Sequence, residues 1–146
     1  MRVERTERAW SGAFIADGPA PWTVLQQDEG GRATLALGGV WRAQGDYDLE
    51  RAQVYARIVG EDDGRIVVPW TPCEMEPGSR WSVRLQAPAG GLYRAETCLC
   101  VRQDDPAMEW PMRGDMIHHL GVGDVWLIAG QSNAAGFGNG PYDDGP

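Results

Sequence analysis

Apolar residues recur at every second position along most of this chain, the period of a half-buried β-strand. Residues 53–59 carry the pattern most clearly, with Val54, Ala56 and Ile58 on one side and Tyr55 and Arg57 on the other. Glu61, Asp62, Asp63 and Gly64 then turn the chain, and residues 65–70 return it as the second arm of a hairpin. Pro69 and Pro72 are expected to end that arm, because proline cannot donate to a ladder. Residues 81–86 alternate again with Trp81, Val83 and Leu85 inward, followed by a turn at Pro88-Ala89-Gly90-Gly91. Residues 92–102 form the longest expected strand. Tyr93, Ala95, Thr97, Leu99 and Val101 share one face, Arg94 and Glu96 take the other, and Asp104-Asp105-Pro106 breaks the run.

Two weaker strands precede these. Residues 22–27 close on the turn cluster Asp28-Glu29-Gly30-Gly31, and residues 33–41 place Ala33, Leu35 and Leu37 on one face before Gly38 and Gly39 interrupt. Residues 43–51 read as a polar loop. Residues 1–20 read as an irregular lead-in with room for one edge strand. No helical period precedes residue 130. Roughly seven short strands separated by regular turn signals predict a mainly β chain: an antiparallel, immunoglobulin-like β-sandwich over residues 21–117. Residues 110–120 are expected to connect this sandwich to the carboxyl-terminal segment.

The pattern then changes. Val125, Trp126, Leu127, Ile128 and Ala129 form a continuous apolar run bounded by Asp124 and Gly130, which is how a strand buried on both faces of a parallel sheet reads. It stops at Gly130-Gln131-Ser132-Asn133 and passes into Ala134, Ala135 and Gly136. A strand ending in a glycine turn and a serine presents that hydroxyl at the carboxyl edge of the sheet, where ligands of open α/β folds collect.

Residues 123–136, G-D-V-W-L-I-A-G-Q-S-N-A-A-G, resemble the first conserved block of the SGNH-type carbohydrate esterases, the group that contains sialate O-acetylesterases and acetylxylan esterases. The resemblance implies that Ser132 is the nucleophile of a serine hydrolase, and that residues 118–146 open an incomplete α/β, flavodoxin-like hydrolase domain. It places Gln131 and Asn133 in the oxyanion or substrate loop. A β-sandwich often precedes the esterase domain in that family, in agreement with the order here. The alternative for Ser132 is a turn serine that caps the next helix, and for Asn133 a residue chosen for a tight turn.

Serine ester hydrolysis needs a base, an orienter for the base, and donors for the oxyanion. The family takes its base from an Asp-x-x-His near the carboxyl end, and further oxyanion donors from a glycine and an asparagine in later blocks. None of these blocks comes between Ser132 and Pro146, so the expectation is an amino-terminal fragment, inactive by itself and loosely packed beyond about residue 130. Asp115-Met116-Ile117-His118 has the Asp-x-x-His spacing but lies upstream. Residues three apart on a strand point to opposite faces, so Asp115 is not expected to orient His118. His119 is expected to be a satisfied or solvent-facing strand residue, and Asp124 a structural partner.

Composition narrows the partners. The 146 residues carry a net charge of −8, and all thirteen cationic residues are arginines, without basic clusters. That argues against nucleic acid and anionic membranes, and accommodates an acetylated carbohydrate in the full-length protein. No cofactor or metal is implied. The charged start at residues 2–8 lacks a signal-like apolar region, giving a cytoplasmic default, with a secreted or periplasmic alternative if sequence precedes it. Cys73, Cys98 and Cys100 make no even disulfide set and are expected as reduced, partly buried thiols. Of seven tryptophans, Trp22, Trp41, Trp70, Trp81 and Trp126 are assigned to core or interface, and Trp10 and Trp110 to the surface. The competing function is a non-catalytic β-sandwich that binds carbohydrate or another domain.

Overall fold

A computed structural model describes residues 11–44, 49–101 and 112–126. The described chain is mainly β. In order its strands are β1 (Gly12–Asp17), β2 (Val24–Gln26), β3 (Arg32–Arg42), β4 (Gln53–Gly60), β5 (Ile66–Pro72), β6 (Glu74–Glu76), β7 (Arg80–Pro88), β8 (Gly90–Cys100) and β9 (Met112–Gly123), with one 3-10 turn at Leu49–Arg51. Two sheets result, one ordered β1-β3-β7-β6 and the other β2-β9-β8-β4-β5.

The alternation read from the sequence sets the inner faces. Leu35, Leu37, Trp81, Leu85 and Ala87 of the first sheet meet Val54, Ala56, Ile58, Ala95 and Leu99 of the second in one buried cluster. Trp81 lies at its centre, and its indole N–H donates to the Val40 carbonyl at 2.9 Å, so the polar atom is not stranded. Burying an indole removes roughly 150–250 Å² from water, worth on the order of 4–6 kcal/mol before entropy is charged against it. Thr97 is buried on the same face, and its hydroxyl donates to the Asp115 carbonyl at 2.8 Å.

The outer face of the five-stranded sheet carries a second, smaller cluster of Tyr55, Cys98 and Cys100 with Trp70 packed on it. Glu96 is buried there opposite Arg57 in the β4–β8 register. It accepts from Arg57 Nε and Arg94 Nε, each at 2.7 Å, and the Arg57 guanidinium lies 4.4 Å from the centre of the Trp70 ring. No disulfide joins the three buried cysteines.

Several expectations change. Gly38 and Gly39 do not interrupt β3, which runs on to Arg42. Gly39 is small because the neighbouring β1 backbone presses on it, so that a β-carbon there would strike the Phe14 carbonyl, whereas one on Gly38 would come no closer than 3.3 Å to the Trp81 carbonyl. Pro69 does not end β5, since the strand lies at the sheet edge, where a missing N–H breaks no ladder. The sheets are not wholly antiparallel, because β2 pairs parallel with β9, Val24 opposite Gly121 and Gln26 opposite Gly123. The segment expected as a connector is itself strand β9, flanked by β2 and β8. Its run crosses residue 118 unbroken, and Leu120 and Val122 belong to the main core. Within residues 1–20, Gly12–Asp17 forms the edge strand and Ala13 is fully buried.

Candidate functional site

Ser132, Gln131 and Asn133 lie outside the described residues, as do Leu127, Ile128 and Ala129, the expected loose packing beyond residue 130, and Trp10 and Trp110. What is described is how β9 delivers the chain toward them. Gln26 at the end of β2 clamps the exit. Its side-chain amide donates to Asp124 Oδ1 at 3.0 Å and its carbonyl accepts the Val125 N–H at 2.9 Å. Asp124 is a structural partner, as expected, with hydrogen bonds from Gln27 and Gln26 holding its carboxyl below the usual range. Val125 and Trp126 depart from expectation: neither is in a strand, and Trp126 is 81% exposed. The β2–β9 ladder ends at Gly123, opposite Gln26, so among the described residues no strand pairs with them.

The Asp115–His118 pair is not a dyad. Asp115 Oδ2 accepts the Ile15 N–H at 2.9 Å, while His118 Nδ1 lies 3.5 Å from Glu61 Oε1. Strand alternation separates the two side chains, as the spacing implied.

A different constellation assembles around Glu61, in the turn after β4. Opposite β8, Tyr93 pairs with Leu120 and Ala95 with Ile117, so β9 holds one residue more than its partner between these points. That β-bulge falls at His118 and His119. His119 adopts φ of 61°, the left-handed region. A bulge re-aims the side chains it carries. Here it turns both imidazoles toward one carboxylate: Glu61 Oε1 accepts the His119 N–H at 2.7 Å, Oε2 meets His119 Nδ1 at 2.9 Å, and His118 Nδ1 stands beside Oε1.

Burial pushes the Glu61 carboxyl upward, but the His119 N–H, its imidazole and the Coulombic pull of both histidines outweigh that and leave it below the ordinary range. An ionised carboxylate only accepts, so Nδ1 of His119 carries the proton against it and Nε2 is turned away from it. His119 is satisfied, as expected. What the sequence reading missed is its partner.

Trp22 completes the group. The sequence assigns it to core or interface; it is not core, being 69% exposed. Its ring stacks on His119 with centroids 4.1 Å apart and planes 21° from parallel, and the Trp22 backbone N–H donates to the His119 carbonyl at 2.9 Å. The remaining assignments divide: Trp81 is core, Trp41 packs half-buried against it, and Trp70 packs half-buried on the outer cluster.

A signal for the bulge was available. Ile117, Leu120 and Val122 all point inward, and the three-residue step from 117 to 120 is one too many for a regular strand. The carboxylate that joins the histidines comes from a turn fifty-eight residues away in sequence and has no such signal.

No protein-family model matches the chain, and no curated protein matches it. Among the described residues no group of histidine, cysteine, aspartate and glutamate is arranged to hold a metal ion, and no helix is long and apolar enough to cross a membrane.

Proposed function

We propose that the chain is the amino-terminal part of a carbohydrate O-acetylesterase: an immunoglobulin-like β-sandwich that passes, through β9, into the first strand and nucleophile turn of an SGNH-type hydrolase domain. The observation that carries the reading is the segment 123–136, whose strand-like run, glycine turn, Ser132 and small-residue tail come in the order the esterases use. The two-sheet fold ahead of it and the Gln26 clamp on Val125 support the same order.

The chemistry rests on the residue types. Ser132 Oγ attacks the acetyl carbonyl as a base takes its proton; the Ser132 N–H is one oxyanion donor, Gln131 and Asn133 are assigned to the oxyanion or substrate loop, and the other donors come from the later glycine and asparagine blocks. Collapse of the tetrahedral adduct breaks the bond to the sugar oxygen, which leaves with the proton, and water then releases acetate from the acyl-serine. The base and its aspartate belong to sequence beyond residue 146.

The test is the coding sequence past that codon. An in-frame continuation containing Asp-x-x-His, whose product releases acetate from acetylated xylan or O-acetyl sialic acid and loses that activity on Ser132→Ala, upholds the reading. A stop codon at that point, or an extended product inert on both substrates, overturns it.

A further inference from the structure

Trp22 is placed in a way that packing does not account for. A bulky residue with φ of 68° sits in the left-handed region, where only glycine rests without penalty. Its strain is not offset by burial, because most of the ring is in solvent. The conformation is nevertheless tightly held: Trp22 N–H donates to the His119 carbonyl, Gly121 N–H donates to the Thr23 carbonyl at 3.0 Å, and the Thr23 hydroxyl donates to the Ala20 carbonyl at 2.6 Å. One face of the indole is backed by the His119 imidazole, itself in the left-handed region and braced by Glu61. Two residues in the left-handed region thus hold an aromatic plate that is 69% exposed.

We propose that Trp22, His118 and His119 form a binding subsite for a neutral pyranose ring of an oligosaccharide. The exposed indole takes the C–H face of the sugar, a contact that needs a large, immobile and exposed ring. The half-exposed His118 and His119 turn Nδ1 to Glu61 and offer Nε2 to sugar hydroxyls at the edge of the plate. A cationic ligand is disfavoured, since the Glu61 carboxylate already meets the His119 N–H and Nδ1, with the His118 imidazole 3.5 Å away. An anionic ligand meets a chain with net charge −8. The subsite does not depend on the esterase reading.

The experiment is a titration of the ¹⁵N-labelled 146-residue chain with xylotetraose and cellotetraose, with N-acetylneuraminate as the anionic comparison. The expected result is a saturable shift of the Trp22 indole N–H and of the His119 ring signals with a Kd on the order of 1 mM for a neutral tetraose, and no saturable shift with N-acetylneuraminate. Trp22→Ala is expected to weaken binding by about tenfold or more, and Trp22→Tyr to retain most of it. Should the alanine variant fail to fold, the tyrosine variant and the identity of the shifting indole decide. An unmoved Trp22 signal at about 10 mM sugar, ten times the expected Kd, overturns the proposal. So does binding that shifts other indoles and survives loss of the Trp22 ring. Sugar binding by a protein that never hydrolyses acetate leaves this subsite standing and removes the esterase; the opposite pair of results does the reverse.

Discussion

At the scale of single residues, the two acidic side chains that matter are Glu96 and Glu61, and both are ionised against burial. Burial raises Glu96, but hydrogen bonds and charge from Arg57 and Arg94 bring it below its reference value of 4.5. A carboxyl with a folded pKa below its unfolded one stabilises the native state above about pH 4.5, and that contribution disappears as pH falls through the folded value. Urea titrations from pH 7 down to pH 3 should therefore show stability declining at the acid end. Glu96→Gln should be less stable at pH 7 by about 1–3 kcal/mol and flatter over the acid range. Cys73 gives a second test. Burial pushes its thiol up to about 12, so native protein at pH 8 should leave Cys73 unlabelled by iodoacetamide over minutes, while urea-unfolded protein reacts at once. The outward placement of Glu96 with Arg94 was legible, because alternation along β8 assigns each side chain a face; Cys73, between β5 and β6, had no such pattern. The Glu61–histidine contact was not legible either, since it depends on where a turn falls in space.

At the scale of elements, β9 decides the architecture. Its sequence, M-R-G-D-M-I-H-H-L-G-V-G, is poor in β-branched residues and breaks alternation, so pattern alone gave a connector. The breaks have a physical origin. Between Glu96 and Cys98 on β8, β9 again carries one residue too many, near Gly114 and Asp115, just where β1 approaches. A β-carbon on Gly114 would collide with the Thr97 hydroxyl and with the carbonyl and β-carbon of Ala13. Gly114→Ala should accordingly cost about 1–3 kcal/mol in urea denaturation, the range for overpacking a filled core. Gly123→Ala, with open space around its would-be β-carbon, should cost well under 1 kcal/mol. Equal effects at the two sites would mean that β1 does not press on β9. The parallel β2–β9 pair was equally hidden, because a strand of three residues carries too short a pattern to state a direction.

At the scale of the whole molecule, chemistry is limited by what the chain can bring to a serine. The sequence holds two histidines, and both present Nδ1 to Glu61 on the surface of the β9 bulge, with His119 further covered by Trp22. Under the proposed function neither is the base for Ser132; that role falls to an Asp-x-x-His beyond residue 146. Absence of the base from a serine mechanism costs about 10⁴-fold or more in turnover. The 146-residue polypeptide should therefore hydrolyse p-nitrophenyl acetate no faster than its Ser132→Ala variant, and should not be labelled by a fluorophosphonate. Two further variants locate the base if that expectation fails. Serine-dependent labelling lost in His119→Gln but kept in His118→Gln would make Glu61 and His119 an orienter and base serving Ser132 from the β-module. It would also place the nucleophile segment against the Trp22 edge, and the catalytic machinery would then be split between the two-sheet fold and the segment that leaves it at Gly123.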